Sequence, residues 1–206
     1  MSPTRPAASG GVAAVLLAAG GGSRFGGGGH KLLAPLDGRP LVAWALRSAV
    51  AAALDAVVVV TGAVPLDELV ADVAGDRAVV VRNDLWRDGQ ATSLQAGIAW
   101  CATRGMDAAV VGLGDQPLVG AAAWRAVADA AWAPVVTATF GGRRRPPVRL
   151  ARAVWPLLPR EGDDGARVLM KQRPDLVGEV TCSGDPVDVD TRDDLDRAKG
   201  DPAGEH

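Results

Sequence analysis

The apolar positions of this chain fall into two kinds of segment. Short β-branched runs, mostly apolar from end to end, are bounded by Gly, Asp or Pro. They read as strands at Val12–Ala18, Ala56–Thr61, Ala78–Arg82, Ala108–Leu113 and Val135–Phe140. Between them lie longer Ala-rich amphipathic stretches that read as helices over 40–53, 65–74, 92–104 and 121–131, with Pro40 and Pro65 where a helix can begin without losing a hydrogen bond. Strands without internal polar alternation are buried on both faces, so the βαβαβαβαβ order predicts a mostly parallel sheet covered by helices on each side. This is an α/β fold, a single Rossmann-like three-layer domain. The last quarter is less regular, with helical patterns over 163–172 and 191–199 and a short strand at Val177–Thr181.

Length and charge narrow the picture. A chain of 206 residues can bury about 70% of the surface its unfolded form exposes, so the core is self-sufficient. Residues 11–199 are read as the domain, with 1–10 and 200–206 as disordered ends. The net charge of −2 and pI near 5.7 supply no basic field for nucleic acid or an anionic membrane, which leaves small-molecule partners. Cys101 and Cys182 show neither metal-ligand nor disulfide-framework spacing. With no targeting signal, and an apolar run at 12–20 too short to cross a bilayer, a cytoplasmic protein is expected.

The first strand runs out into Leu17-Ala18-Ala19-Gly20-Gly21-Gly22-Ser23-Arg24-Phe25-Gly26, then three more glycines, His30 and Lys31. A glycine loop lets backbone N–H groups approach an anion, and Arg24 and Lys31 can neutralise charge those groups leave exposed, which is a grip for polyphosphate. A flexible surface loop is the other reading. The dinucleotide fingerprint needs a helix directly after the turn and an acidic residue about 20 positions on, and a P-loop needs Lys followed by Ser or Thr; neither pattern is met. As surface residues, Arg24 and Lys31 are expected to be removable with folding nearly intact.

Two acidic segments follow. Gly114-Asp115-Gln116-Pro117 puts a carboxylate where a buried strand emerges, a place suited to Mg²⁺, which takes one or two protein carboxylates together with phosphate oxygens. Asp115 also reads as a turn cap. In Asp188-Val189-Asp190-Thr191-Arg192-Asp193-Asp194, alternation puts Asp188 and Asp190 on one face, able to share a metal, while Asp190 or Thr191 also reads as a helix cap. Between these, the turn from Asn83 to Ser93 offers Gly89 for close approach and Ser93 for a base edge, with Thr92 as a plain N-cap the alternative. Phe140-Gly141-Gly142-Arg143-Arg144-Arg145-Pro146-Pro147 reads as a rigid basic loop for a phosphorylated acceptor or as a solvated charge run. The tryptophans, with Trp44, Trp100 and Trp124 on the helical stretches and Trp132 at the end of one, read as core or helix-packing residues.

The loop LAAGGGSRFG with its following Lys resembles the signature of the MobA-like NTP transferase family, and its LAAG opening is similar to that of the molybdenum cofactor cytidylyltransferases. GDQP resembles the family's GDxP motif, DVDTRDDL its DIDTPEDL motif, the Asn83 segment its NPxWxxG…SLxxG stretch, and Gly162-Asp163-Asp164-Gly165-Ala166-Arg167 its GDxGAR motif. The resemblance spans nearly the whole chain and implies a nucleotide-diphospho-sugar transferase type of fold. It implies that Leu17, Ala18, Ala19, Gly20, Gly22, Arg24 and Lys31 hold the triphosphate, that Gly89 and Ser93 contact the base, and that Arg24, Lys31 and Asp115 are catalytic. It further implies that Asp115 with Asp190 or Asp188 holds Mg²⁺ and that Arg143, Arg145 and Arg167 face the acceptor. The implied reaction transfers CMP from CTP to the phosphate of molybdenum-molybdopterin, releasing pyrophosphate, with a molybdenum hydroxylase as possible recipient of the product. The chain departs from the family in the longer spacer before Lys31, in Arg192 for Pro, and in the absence of His before Val148. A guanylyltransferase or a transferase for another phosphorylated acceptor is the nearest alternative. An oxidoreductase lacks its dinucleotide fingerprint, and a non-catalytic cofactor chaperone leaves the carboxylates without a task.

Overall fold

Parallel pairing dominates the sheet because the connections between its strands are helical crossovers. The computed structural model describes residues 10–22, 25 and 29–199; apart from Gly10, the segments 1–10 and 200–206 lie outside these. The described elements are β1 (Val12–Ala18), β2 (Pro35–Leu36), β3 (Arg39–Pro40), α1 (Leu41–Ala51), β4 (Ala56–Thr61), α2 (Asp67–Ala74), β5 (Ala78–Arg82), α3 (Gln90–Thr103), β6 (Ala108–Leu113), α4 (Ala121–Asp129), β7 (Val135–Phe140), β8 (Arg143–Ala151), α5 (Arg167–Gln172), β9 (Val177–Thr181) and α6 (Arg192–Ala198). The main sheet has the order β5-β4-β1-β6-β8-β7-β9, and β8 alone runs antiparallel to its neighbours.

Each central strand divides its side chains between two apolar layers. On β1, Ala14, Leu16 and Ala18 pack with α1, α2 and α4, while Ala13, Val15 and Leu17 pack with α3, α5 and the 3₁₀ turn around Trp155. This double burial is why the strands read as continuous apolar runs. A third, smaller cluster gathers Phe25, Leu36, Leu41, Leu118, Val189 and Leu195, tying α6 to the mouth of the glycine loop.

Several boundaries differ from the sequence reading. Helix α1 starts at Leu41 because Pro40 closes a two-strand hairpin against Pro35, and α2 starts at Asp67, two residues after Pro65. Helix α5 begins only at Arg167, because Gly162 and Gly165 take positive φ. The larger correction is β8. The three arginines begin a strand, since Gly141 and Gly142 both adopt positive φ and close a tight hairpin with β7. Pro146 and Pro147 hid that strand. They stand unpartnered where the register jumps from Ala138↔Arg145 to Thr137↔Val148, so their missing N–H groups cost the ladder nothing. Trp124 and Trp155 are core residues, but Trp132 lies beyond α4 and is 66% exposed.

Candidate functional site

The carboxyl ends of β1 and β6 lie side by side, and the turns that leave them are tied together. The Gly114 N–H donates to the Leu17 carbonyl at 2.9 Å, and the Val189 N–H donates to the Asp115 carbonyl at 2.9 Å. The second bond brings the segment before α6 onto the β6 turn, joining two acidic motifs more than 70 residues apart. Asp190 is thereby held beside Asp115.

Between them lies Lys31. Its buried Nζ donates to Asp115 Oδ2 at 2.7 Å and to Asp190 Oδ1 at 2.8 Å. Burial opposes the charge on this ammonium, but the Asp115 carboxylate and then that of Asp190 outweigh it and hold its pKa above the ordinary lysine value. The backbone leads it there: Gly22, at φ 61°, passes so close to Lys31 that a Cβ would sit 2.9 Å from the lysine Cβ. Arg24 lies outside the described residues. Ala18 and Ala19 are buried at the root of the loop, and Gly20 and Gly21 are exposed beyond them.

Asp188 takes a different partner. Its Oδ1 accepts from Gln116 Nε2 at 2.7 Å. Burial first, and the neighbouring Asp115 carboxylate second, push its pKa above the usual carboxylate range. Asp190, rather than Asp188, shares the lysine with Asp115. Nor is Asp190 the cap of α6: Thr191 accepts from the Asp194 N–H, and Asp194 reaches back to the Thr191 N–H, a reciprocal capping box. Asp115 Oδ1 is buried and has no hydrogen-bond partner among the described residues. Hard oxygen donors around a cation, with one oxygen unsatisfied, fit Mg²⁺ or Mn²⁺. No three His, Cys, Asp or Glu side chains among the described residues converge closely enough to hold a metal alone. A metal here would complete its shell with phosphate oxygens and water.

On the other side of β1, the turn before α3 is organised by a residue the sequence reading did not single out. Buried Asn83 donates from Nδ2 to Thr92 Oγ1 at 2.9 Å and to Ser93 Oγ at 3.0 Å, while its Oδ1 accepts from the Leu85 N–H. Its signal was an Asn at a strand's end facing a Thr-Ser pair at a helix start. Thr92 is not the N-cap: α3 begins at Gln90, and the Thr92 hydroxyl turns back to the Gly89 carbonyl. Gly89 has φ 108° and is pressed against Gly162, whose backbone a Cβ would meet at 2.5 Å. Residues 162–165 are therefore docked on the start of α3. The Trp86 ring packs along Gly21, bringing this turn against the glycine loop.

A cavity of about 340 Å³ opens between this turn and β8. Leu17, Leu94 and Val111 contribute its apolar lining, and Arg144, Arg145, Arg167 and Lys171 its cations, with Asp164 as the acidic member. Arg143, at the exposed tip of the hairpin, does not line it. Arg145 also acts electrostatically on Asp188, lowering its pKa against the effects of burial. The basic wall and the acidic cluster are thus neighbours.

A family model described as MobA-like NTP transferase domain matches residues 14–177. The chain belongs to that family. Among solved structures, Rv0371c from Mycobacterium tuberculosis H37Rv is 28% identical with a TM-score of 0.77, over 92% of this chain and 97% of that one. The same protein has also been solved in complex with manganese. A nucleotidyl transferase from Methanothermobacter thermautotroptrophicus is 26% identical with a TM-score of 0.74, over 92% and 96% of the two chains. The inositol-1-phosphate CTP transferase from T. maritima, at 16% identity and a TM-score of 0.71 over 91% and 96%, shares the fold. Among curated proteins no relative matches. As a MobA-like protein with the nucleotide-diphospho-sugar transferase type of fold, the chain is an enzyme of the nucleotidyltransferase kind. Among the described residues no helix is long and apolar enough to cross a membrane.

Proposed function

We propose that this MobA-like enzyme transfers CMP from CTP to the phosphate of molybdenum-molybdopterin in the cytoplasm, using Mg²⁺. The observation that carries this reading is Lys31, a buried cation shared by Asp115 and Asp190 at the root of a glycine loop and one turn away from a basic, apolar-lined cavity. In this reading an acceptor phosphate oxygen attacks the α-phosphorus of the NTP, the new O–P bond forms as the bond to the β-phosphate oxygen breaks, and pyrophosphate leaves. The loop after Ala18 and the cations Arg24 and Lys31 hold the triphosphate; Lys31 turns from the carboxylates to the phosphates once these arrive. Asp115 and Asp190 would hold the divalent ion, which neutralises charge building on the phosphate oxygens when bound; Asp188 stands behind them on Gln116. Gly89 and Ser93 border the base, with Asn83 fixing the serine hydroxyl. Arg145 and Arg167 orient the acceptor phosphate, and Leu17, Leu94 and Val111 receive the flat pterin body. Positioning and charge neutralisation supply the rate. No side-chain nucleophile is needed.

Manganese bound to Rv0371c supports a divalent-metal requirement in this fold. The test is pyrophosphate release from CTP, GTP or ATP with Mg²⁺ or Mn²⁺ and molybdenum-molybdopterin. A kcat/KM for CTP at least tenfold above the other nucleotides supports the reading. Equal values for the three would remove the cytidylyl assignment, and release with inositol phosphate or a sugar phosphate but not molybdopterin would remove the acceptor. A molybdenum hydroxylase as recipient of the product belongs to the same reading, and its test is transfer of the new cofactor from this protein to an apo-hydroxylase.

A further inference from the structure

The chain leaves β1 past Gly20 and must return to place Lys31. His30 supplies two contacts that close this return. Its Nδ1 accepts from the Leu32 N–H at 3.3 Å, capping the 3₁₀ turn Lys31–Leu33, and its Nε2 lies 3.0 Å from the Gly20 carbonyl. A ring nitrogen that accepts an N–H carries no proton, so the proton sits on Nε2 and is donated to Gly20. The neutral Nε2–H tautomer is the only form that makes both bonds. Burial, which lowers the His30 pKa, and the nearby Lys31 cation favour that neutral form.

We infer that His30 is a positioning residue: its neutral imidazole latches Gly20, at the start of the loop, to Leu32, at its end, and so sets the reach of Lys31. This rests on the loop being the triphosphate site. The latch lies on the backbone to either side of Lys31, whereas Asp115 and Asp190 fix only the ammonium. Without it the lysine still pairs with the carboxylates, but Gly20 and Lys31 no longer face the phosphates in one arrangement. Nucleotide binding is where the loss falls, and the chemical step at saturating nucleotide keeps its rate.

Three substitutions separate this role from plain capping. His30→Ala removes both bonds. His30→Asn keeps an acceptor for Leu32 but is too short for Gly20, and His30→Gln carries a donor out to the distance of Nε2. One bond of ordinary strength corresponds to roughly a fivefold change in affinity, and two to roughly tenfold or more. KM for NTP, and Kd for NTP without metal, should therefore rise about fivefold in His30→Asn and about tenfold or more in His30→Ala, with kcat within about twofold and much of the loss recovered in His30→Gln. Wild-type affinity in His30→Asn would reduce His30 to a local cap and overturn the latch, and so would a fall in kcat with KM unchanged. A second readout is the nitrogen spectrum of the ring: at pH 7.5 it should show a protonated Nε2 and an unprotonated Nδ1. The opposite tautomer overturns the latch, whatever nucleotide the protein binds. If the wild-type protein binds no nucleotide, the loop assignment fails, and the spectrum still tells whether the ring has the one tautomer that can join Gly20 and Leu32.

Discussion

Lys31 changes meaning between sequence and structure. In the sequence it is a loop cation whose loss should leave folding nearly intact; in the fold it is buried between two carboxylates. Replacing it with Ala takes from Asp115 and Asp190 the ammonium they share. We expect Lys31→Ala to cost about 1–2 kcal/mol, as for a partly buried polar contact that loses one partner, kept low because Asp190 is partly open to solvent. Millimolar Mg²⁺ or Mn²⁺ should recover part of the lost Tm in this variant and raise the wild-type Tm by less, since in the wild type the lysine competes for the same oxygens. Equal shifts in the two proteins would contradict the shared site. His30 gives a pH dependence with a definite sign. Its folded-state pKa lies below the ordinary 6.5, so the unfolded chain takes up the proton first. Its effect on stability is absent above pH 6.5 and destabilises the fold progressively as pH falls from 6.5 to the folded pKa. Thermal unfolding between pH 7.5 and 5 should show a steeper loss in wild type than in His30→Gln; identical slopes would contradict a neutral, half-buried His30.

At the scale of elements, the sequence was most legible where burial is two-sided. Strands β1, β4, β6 and β7 lie where their runs ended, because a strand covered on both faces shows no charged interruption until it leaves the sheet, and the partly covered edge strands β5 and β9 keep their expected bounds as well. Strand β8 was not legible: its first half is charged, its middle carries two prolines, and only pairing with β6 and β7 makes it a strand. That pairing places Arg144 and Arg145 at the cavity and leaves Arg143 at the tip. Arg145→Ala should raise KM for the acceptor by roughly tenfold, as for a charge-assisted hydrogen bond, with KM for NTP unchanged, and Arg143→Ala should alter neither. Steady-state kinetics with each substrate varied in turn decides it. The packing of α3 is a second case. A Cβ on Gly97 would lie 2.5 Å from Val15 Cγ1, so the helix sits on β1 with no room for a methyl group. Gly97→Ala should destabilise the fold by about 1–3 kcal/mol through overpacking, against the stabilisation Ala brings to an open helix. Urea unfolding of the variant measures it, and a gain in stability would contradict this packing.

Across the whole molecule, the site is made by topology. Asp115 and Asp190 each read locally as a metal ligand or a cap, and nothing within either motif decides between these. What brings them together is the sheet order, which sets β6 beside β1, and the Val189 to Asp115 backbone bond, which carries Asp190 to Lys31. The same bond leaves Asp188 on Gln116, a division that residue spacing alone does not contain. Asn83 was missed for a similar reason, since its partners Thr92 and Ser93 lie across a turn and a helix start. The most direct test of the account is pyrophosphate release against divalent metal concentration for wild type, Asp115→Asn and Asp190→Asn, with thermal stability recorded for each. The account predicts folded variants whose kcat falls by roughly a hundredfold or more and whose residual activity needs more metal, because each has lost an anionic ligand. Wild-type turnover with wild-type metal dependence in both variants would contradict it.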